Sequence, residues 1–518
     1  MATENRTKYR VAILEHAKQT GCNDSQAIMD ALLMRHVKKS DFPAMPFGYS
    51  QDGFFIEPPP PDVQAWTSTY LAEVEQQPGD AGGHAGAEST PQDINPRRAA
   101  EDLPDDPAAS RPSFGEIITR GLARFEEHYR LQGIARSDEE WKKLCHSLRQ
   151  PLPISFRFTR APNAAEEEFQ QFAEELRDGC HTARGRYVPA PHMFDFAKMV
   201  SLGCDDRTLK QEQREAPEAP LARLGRWLSR RVPEGLISRQ EVVSAVPVAL
   251  LGVEPGHTVL DVCAAPGSKT LQAIEKACPS GDSEGTGAVV ANELSATRAW
   301  VLARRCALLG PAAGAVAVVQ HKAQVFPGPG LFDRIICDVP CSGDGTMRKH
   351  PEKWRSWSPH LGRELHARQL QIAMRGLALL RVGGQMTYST CSFNPLENEA
   401  VVASLLHRTD GAVVLKRPQS LQGLPVRPGL QHWEVVDESV GLLTTYDDIL
   451  RLPKMLRRRY RRSMWPPKNA KDLNLQRCVR CVPFLANTGG FFVAVLAKVR
   501  EWPAPGEPLQ SSASEASF

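Results

Sequence analysis

The chain has 518 residues, 42% of them hydrophobic and 24% charged, enough apolar material for three or four domain-sized units with sizeable cores. No stretch of about 18 apolar residues occurs, which excludes a membrane-spanning helix, and a formal net charge of +3 singles out no class of partner by itself. Twelve cysteines in so long a chain, with no secretory signal peptide, exclude a small disulfide scaffold and point to reduced thiols in an intracellular compartment.

From the amino end, Thr7 to His36 has helical apolar spacing through Val11, Ile13, Leu14 and Ala17, while Glu15 and Asp30 break the acidic-poor signature of a transit peptide. Four prolines fill positions 58–61, and Pro78 to Arg111 is rich in Gly, Ala, Asp, Pro and Ser. Such composition reads as a flexible linker, so residues 1–112 are expected to form an extension. A foldable unit over 113–236 follows. Phe114 to Leu131 has the pattern of an amphipathic helix, Pro153 to Thr159 alternates like a strand, and Leu221 to Arg231 reads as a helix.

A third unit, 237–498, reads as a doubly wound α/β core. Thr258 to Cys263 is a buried strand, Ala264 to Thr270 a tight turn and Leu271 to Cys278 a helix, a unit that offers backbone N–H groups to an anionic or polar ligand. Its glycine spacing is neither that of a Walker A loop nor G-x-G-x-x-G. The next strand, Gly287 to Glu293, ends in a carboxylate where βαβ folds hold ribose hydroxyls. A further strand spans Ala315 to Lys322. Cys341 and Cys391 each follow a short β-type run that ends in turn residues, which brings two thiols to one rim of the sheet. A strand-end cysteine is commonly a small core hydrophobe; two at the ligand-binding edge of an open sheet suggest thiolate chemistry. Leu361 to Leu380 and Asn394 to Leu406 read as crossover helices, and Gly490 to Lys498 as the last strand.

Two basic segments interleave with aromatics, a pattern suited to phosphate contact and base stacking. One is Met347 to His350 with Lys353, Trp354, Arg355 and Trp357, just after Cys341; the other runs from Lys454 to Arg462, with Trp465 beyond. A nuclear address or a solvated helix face is the competing reading of the second. Cys478 and Cys481 have no second ligand pair at zinc-site spacing, so they read as strand residues and no metal is expected. Residues 499–518 read as a disordered tail.

Asp261 to Thr270, Asp338-Val-Pro-Cys341 and Thr390-Cys391 together resemble the Nol/Nop/Sun (NSUN) family of S-adenosylmethionine-dependent RNA cytosine-5 methyltransferases. Ile237 to Glu241, Cys341 to Lys349 and Asn487 to Leu496 are similar to its eukaryotic tRNA branch. The resemblance covers about residues 113–498. It implies a class I methyltransferase, Rossmann-like with a mostly parallel seven-stranded sheet, joined to a smaller amino-terminal α+β module that holds RNA. It also implies roles. Carbon 5 of cytosine is a poor nucleophile until a thiolate adds to carbon 6; the family's Cys after Thr maps onto Cys391 as that nucleophile, and its Cys after Pro onto Cys341, which assists release. Asp338 is expected at the base, the cofactor, or both. Cys263, Ala264, Ala265, Pro266, Gly267, Ser268 and Lys269 would line the methionine and ribose side of S-adenosylmethionine, with Glu293 on the ribose hydroxyls. Arg348, Lys349, Arg457, Arg458, Arg459, Arg461 and Arg462 are the expected RNA contacts. The implied partner is RNA, tRNA before rRNA or mRNA, with no membrane and a nuclear location. One departure stands out. Relatives present an acceptor to the adenine amino group where this chain has Lys322, which has donors only; a catalytically silent RNA-binding scaffold is the alternative this motivates.

Overall fold

The computed structural model describes residues 114–159, 163–279, 287–328 and 330–502. The expected helix at 7–36, the prolines at 58–61, the linker at 78–111 and the tail beyond Trp502 lie outside the described residues.

Two helices open the described chain, α1 (Phe114–Leu131) and α2 (Asp138–Arg149). Ser137 caps α2 by accepting the Glu140 amide, and acidic residues fill its first turn, where they complement the helix dipole. Leu122, Phe125 and Tyr129 lie on one stripe of α1 and are buried against Trp354, Trp357 and Phe393. Each such side chain stabilises the packing by about 1.5–3 kcal/mol. Helix α1 thus packs on the segment that follows Cys341, and α2 on the helical turn Pro483–Ala486.

The small module is an antiparallel sheet with its own core. Strands β1 (Ser155–Phe158), β2 (His192–Phe194), β3 (Met199–Ser201) and β4 (Ile237–Arg239) run in the order β2-β3-β1-β4. Helices α3 (Ala164–Glu175), α4 (Asp206–Glu215) and α5 (Pro220–Arg231) belong to it, and Phe156, Phe158, Phe169, Leu224 and Trp227 fill the space between. Because β4 pairs with β1 through Phe156, Arg157 and Phe158, the boundary expected at 236/237 moves past Arg239.

The larger sheet begins after α6 (Val246–Leu251). Its parallel part comprises β5 (Thr258–Asp261), β6 (Ala288–Asn292), β7 (Val316–Val319), β8 (Phe332–Asp338) and β9 (Leu380–Thr390). The order β9-β8-β5-β6-β7 is connected by α7 (Ser268–Ala277), α8 (Ala296–Ala307) and α9 (His360–Leu379). After α10 (Glu399–Arg408) come β10 (Val413–Leu415), β11 (Arg427–Pro428), β12 (Val479–Cys481) and β13 (Phe491–Lys498), all joined antiparallel. The sheet therefore has nine strands, not the expected seven. The two additions, β10 and β11, have three and two residues, too short for alternation to reveal. Helix α10 begins at Glu399, five residues later than expected, because Pro395 to Asn398 form turns instead.

Candidate active site

Every parallel strand delivers a candidate residue to one edge, the crevice outside the carboxyl ends where open α/β sheets bind ligands. Asp261 ends β5, Glu293 follows β6, Lys322 lies three residues beyond β7, Asp338 ends β8 and Cys391 follows β9. Backbone pairing fixes their register, since Asp338 sits opposite Ser389 and Ile336 opposite Asp261.

The two cysteines meet: Cys341 Sγ and Cys391 Sγ are 3.3 Å apart and both half-buried. Hydrogen bonding to Cys391 and burial push the Cys341 thiol well above its ordinary range. The serine after each cysteine secures the pair. The Ser342 and Ser392 hydroxyls lie 2.9 Å apart, and they and the Ser342 amide converge on Glu397 at 2.5 to 2.8 Å. Glu397 is fully buried, which pushes its carboxyl up despite these donors.

A second support comes from Asp344, also buried, which accepts from Tyr129 Oη, from Trp357 Nε1 at 3.3 Å and from the Phe393 amide at 2.8 Å. It ties α1 to both cysteine loops. Gly345 is needed for close approach: its amide donates to Cys391 O at 2.9 Å and its carbonyl accepts the Gly490 amide at 2.8 Å, and a Cβ there would strike Gly490 and Cys391 carbonyl oxygens. Glu241 Oε1 accepts the Gly489 amide at 2.8 Å, so three of the stretches that carry the family resemblance stitch to one another here. Sequence reading gave no role to Glu397 or Asp344; their only signal was a carboxylate a few residues after each cysteine.

Asp338 faces the same space. Its Oδ1 accepts from Ser389 Oγ at 2.7 Å and its Oδ2 pairs with Lys269 Nζ at 2.7 Å. Burial opposes the Lys269 charge, yet the Asp338 carboxylate outweighs it and raises Lys269 above its usual value. Lys269, expected on the cofactor, is turned towards the cysteines.

On the cofactor side, Cys263 to Gly267 form the turn between β5 and α7, and Ser268 and Lys269 begin α7. Arg298 Nη2 donates to Ala265 O at 2.7 Å and its Nη1 lies 3.4 Å from Glu293 Oε2. Glu293 is buried at the end of β6, its Oε1 accepting the Ser295 amide at 2.9 Å. Asp261 Oδ2 accepts from Thr270 Oγ1 at 2.8 Å, but Oδ1 is buried with no partner among the described residues. Burial lifts Asp261 to about 7. An orphaned acceptor on Asp261, with the Glu293 carboxylate on the neighbouring strand end, fits a ligand carrying donors and positive charge, as the ammonium and sulfonium of S-adenosylmethionine would. Lys322 is exposed, in the turn that leads into Ala323–Val325, and provides no acceptor.

The expected RNA contacts divide. Arg348 is buried, donating to Gln150 O at 3.1 Å, Thr488 O at 2.7 Å, Pro151 O at 3.0 Å and Asn487 Oδ1 at 2.7 Å. It holds the chain after α2 to the loop before β13, with four of its five N–H donors engaged there. Lys349 is exposed. In the arginine run, Arg457 donates to Leu452 O and Leu450 O, Arg461 to Arg458 O and Tyr460 O, and Arg462 stacks on Tyr446. Of the arginines in that run, only Arg458 and Arg459 are exposed. Trp354, Trp357 and Trp465 are buried, which corrects the expectation that these rings stack on bases.

Residues 248–497 match the family model described as 16S rRNA methyltransferase RsmB/F. The chain is 36% identical over 410 residues to a tRNA (cytosine(34)-C(5))-methyltransferase of Drosophila melanogaster, covering 74% of this chain and 54% of that protein. It is 37% identical over 426 residues to a multisite-specific tRNA:(cytosine-C(5))-methyltransferase of Saccharomyces cerevisiae, covering 76% and 58%. The chain thus spans only a little over half the length of these relatives. Among solved structures, PH0851 superposes with a TM-score of 0.51 at 22% identity, over 78% of this chain and 71% of that one, which shows a shared fold. Residues 248–497 thus form a domain of the RsmB/F methyltransferase kind.

Proposed function

We propose that this protein transfers a methyl group from S-adenosylmethionine to carbon 5 of cytosine in tRNA, through a covalent bond between Cys391 and carbon 6. The observation that carries the reading is the pair of thiols 3.3 Å apart, beside the Asp338–Lys269 ion pair, at the sheet edge that also holds the Cys263–Lys269 segment. The relatives named above support tRNA as the substrate.

In this reading the Cys391 thiolate adds to carbon 6, and the displaced electron pair turns carbon 5 into a nucleophile. Asp338 accepts a hydrogen bond from the ring nitrogen of the base, which takes up a proton as the thiolate adds, and Lys269 and Ser389 keep its two oxygens oriented. S-adenosylmethionine, when bound, supplies an electrophilic methyl group on a sulfonium sulfur; Glu293 holds its ribose hydroxyls and Asp261 its ammonium. After transfer, a general base takes the proton from carbon 5, the electron pair of that C–H bond restores the carbon 5–carbon 6 double bond, and the carbon–sulfur bond breaks to return the Cys391 thiolate. Cys341 assists this last step. Exposed Lys349, Arg458 and Arg459 contact RNA phosphates, and the basic run containing the last two directs the protein to the nucleus, which imaging of a fluorescent fusion with both changed to Gln tests.

The test of the chemistry uses labelled S-adenosylmethionine and tRNA. Cys391→Ala abolishes transfer, to below about 1% of wild type, since loss of a covalent nucleophile costs several orders of magnitude. Cys341→Ala instead accumulates a protein–RNA band that survives denaturing electrophoresis and vanishes in the double variant. A band from Cys391→Ala and none from Cys341→Ala would reverse the roles, and no transfer by the wild type to any RNA would sink the reading.

A further inference from the structure

We propose that Lys353 is an electrostatic positioning residue for Cys391: its ammonium, clamped over the turn after Cys341, favours the anionic form of the attacking sulfur. The inference rests on the reading of Cys391 as nucleophile and names a residue beyond the two cysteines and the Asp338–Lys269 pair.

Lys353 starts a short helix, Lys353–Ser356, and reaches back to the cysteine loops. Its Nζ donates to Gly343 O and to Thr346 Oγ1, both at 3.2 Å, which leaves one of three ammonium donors for another acceptor. Gly343 has a φ of +68° and is buried in the angle between the lysine and the thiol. A Cβ on Gly343 would collide with Lys353 Nζ and stand 3.6 Å from Cys391 Sγ. Nitrogen and sulfur therefore lie around one point, no more than roughly 6 Å apart, where Coulomb attraction in a partly buried site is substantial.

The other charged and titratable groups facing Cys391 do not supply this. Lys269 is neutralised by Asp338 at 2.7 Å. Cys341 offers a thiol, and Glu397, engaged by Ser342 and Ser392, adds negative charge behind both sulfurs. Lys353 forms no ion pair among the described residues. Its charge thus has no carboxylate partner beside the cysteine loops.

The test reads the sulfur directly. Cys391 of the full-length protein is alkylated with iodoacetamide from pH 6 to 10, and modification at Cys391 and at Cys341 is followed separately by peptide mass spectrometry. Alkylation tracks the thiolate fraction. Lys353→Gln keeps a donor for the Gly343–Thr346 turn and removes the charge. It should slow Cys391 alkylation at neutral pH roughly tenfold, between the limits set by water-like and protein-like screening at this separation, with convergence at alkaline pH. Lys353→Arg should restore the wild-type profile. Lys353→Met, which needs no hydrogen-bond partner, repeats the neutral case if the Gln variant does not fold. A neutral variant whose Cys391 profile matches wild type would overturn the proposal, as would an Arg variant behaving like the neutral ones. Alkylation requires neither RNA nor cofactor, so a wild type that fails to methylate RNA leaves this result standing and sinks only the activity.

Discussion

At the scale of single residues, the cysteines were legible because each ends a strand, but the group that holds them in register was not. Glu397 gathers the Ser342 amide and the Ser342 and Ser392 hydroxyls, and it also accepts from Gln369 Nε2 at 2.9 Å. Replacing it with Ala removes the shared acceptor of these four donors. Glu397→Ala should lower kcat at least a hundredfold and reduce stability by about 3 kcal/mol or more, while leaving S-adenosylmethionine affinity near wild type. Denaturant titration and calorimetry separate the two effects. Lys322 poses the opposite case, a residue whose type alone conflicts with the expected role. Lys322→Asp should tighten S-adenosylmethionine binding by about 1 kcal/mol, the net worth of one restored hydrogen bond to the adenine amino group. Equal affinities by calorimetry would mean that another group already supplies the acceptor.

At the scale of elements, the lesson concerns arginines. Charge runs in a sequence look alike whether their guanidinium groups face water or carbonyls. Arg348 became a buried clamp because the chain around it leaves the Gln150, Pro151 and Thr488 carbonyls without strand or helix partners, and one planar fork can satisfy all of them. Arg348→Met should therefore destabilise the protein by about 2–4 kcal/mol, read as a shift in denaturant midpoint, through several uncompensated buried acceptors. The exposed pair behaves differently. Changing Arg458 and Arg459 to Gln should leave stability within about 0.5 kcal/mol and weaken binding to unrelated RNA sequences alike. The slope of affinity against salt should fall by roughly one or less for each phosphate no longer neutralised. An unchanged slope would reserve these residues for nuclear targeting.

At the scale of the whole molecule, two buried histidines set a pH dependence. Burial lowers His128 and His366 to about 4. His366 bonds Leu396 O at 2.6 Å and Ser463 Oγ at 2.8 Å, joining α9 to the basic segment. His128 has both ring nitrogens buried without a partner among the described residues. With folded values below the unfolded value near 6.5, the unfolded chain binds more protons as pH falls. The stability these neutral rings allow is thus fully present above about pH 6.5 and is lost progressively towards pH 4, by up to about 3 kcal/mol per group. His128→Phe keeps the ring packing against Tyr129 and Trp357. It should flatten the fall of melting temperature between pH 7 and 5, and an equally steep fall would assign the dependence to other groups.

The sequence by itself determined the parallel core and the strand ends that carry Asp261, Glu293, Asp338, Cys341 and Cys391, because apolar runs, turn residues and their order are local properties that a doubly wound sheet converts directly into positions on one edge. Tertiary structure alone decided the rest. Helices α1 and α2 look like part of the module that follows them until Phe125 and Tyr129 are seen against Trp354 and Trp357, β4 looks like the start of the large domain until it pairs with β1, and Lys353 looks like one more surface cation until Gly343 brings it over Cys391. In each case the outcome depends on a partner tens to hundreds of residues away, and an amphipathic stripe, a three-residue strand or a lone charge carries no local mark of which partner it will meet.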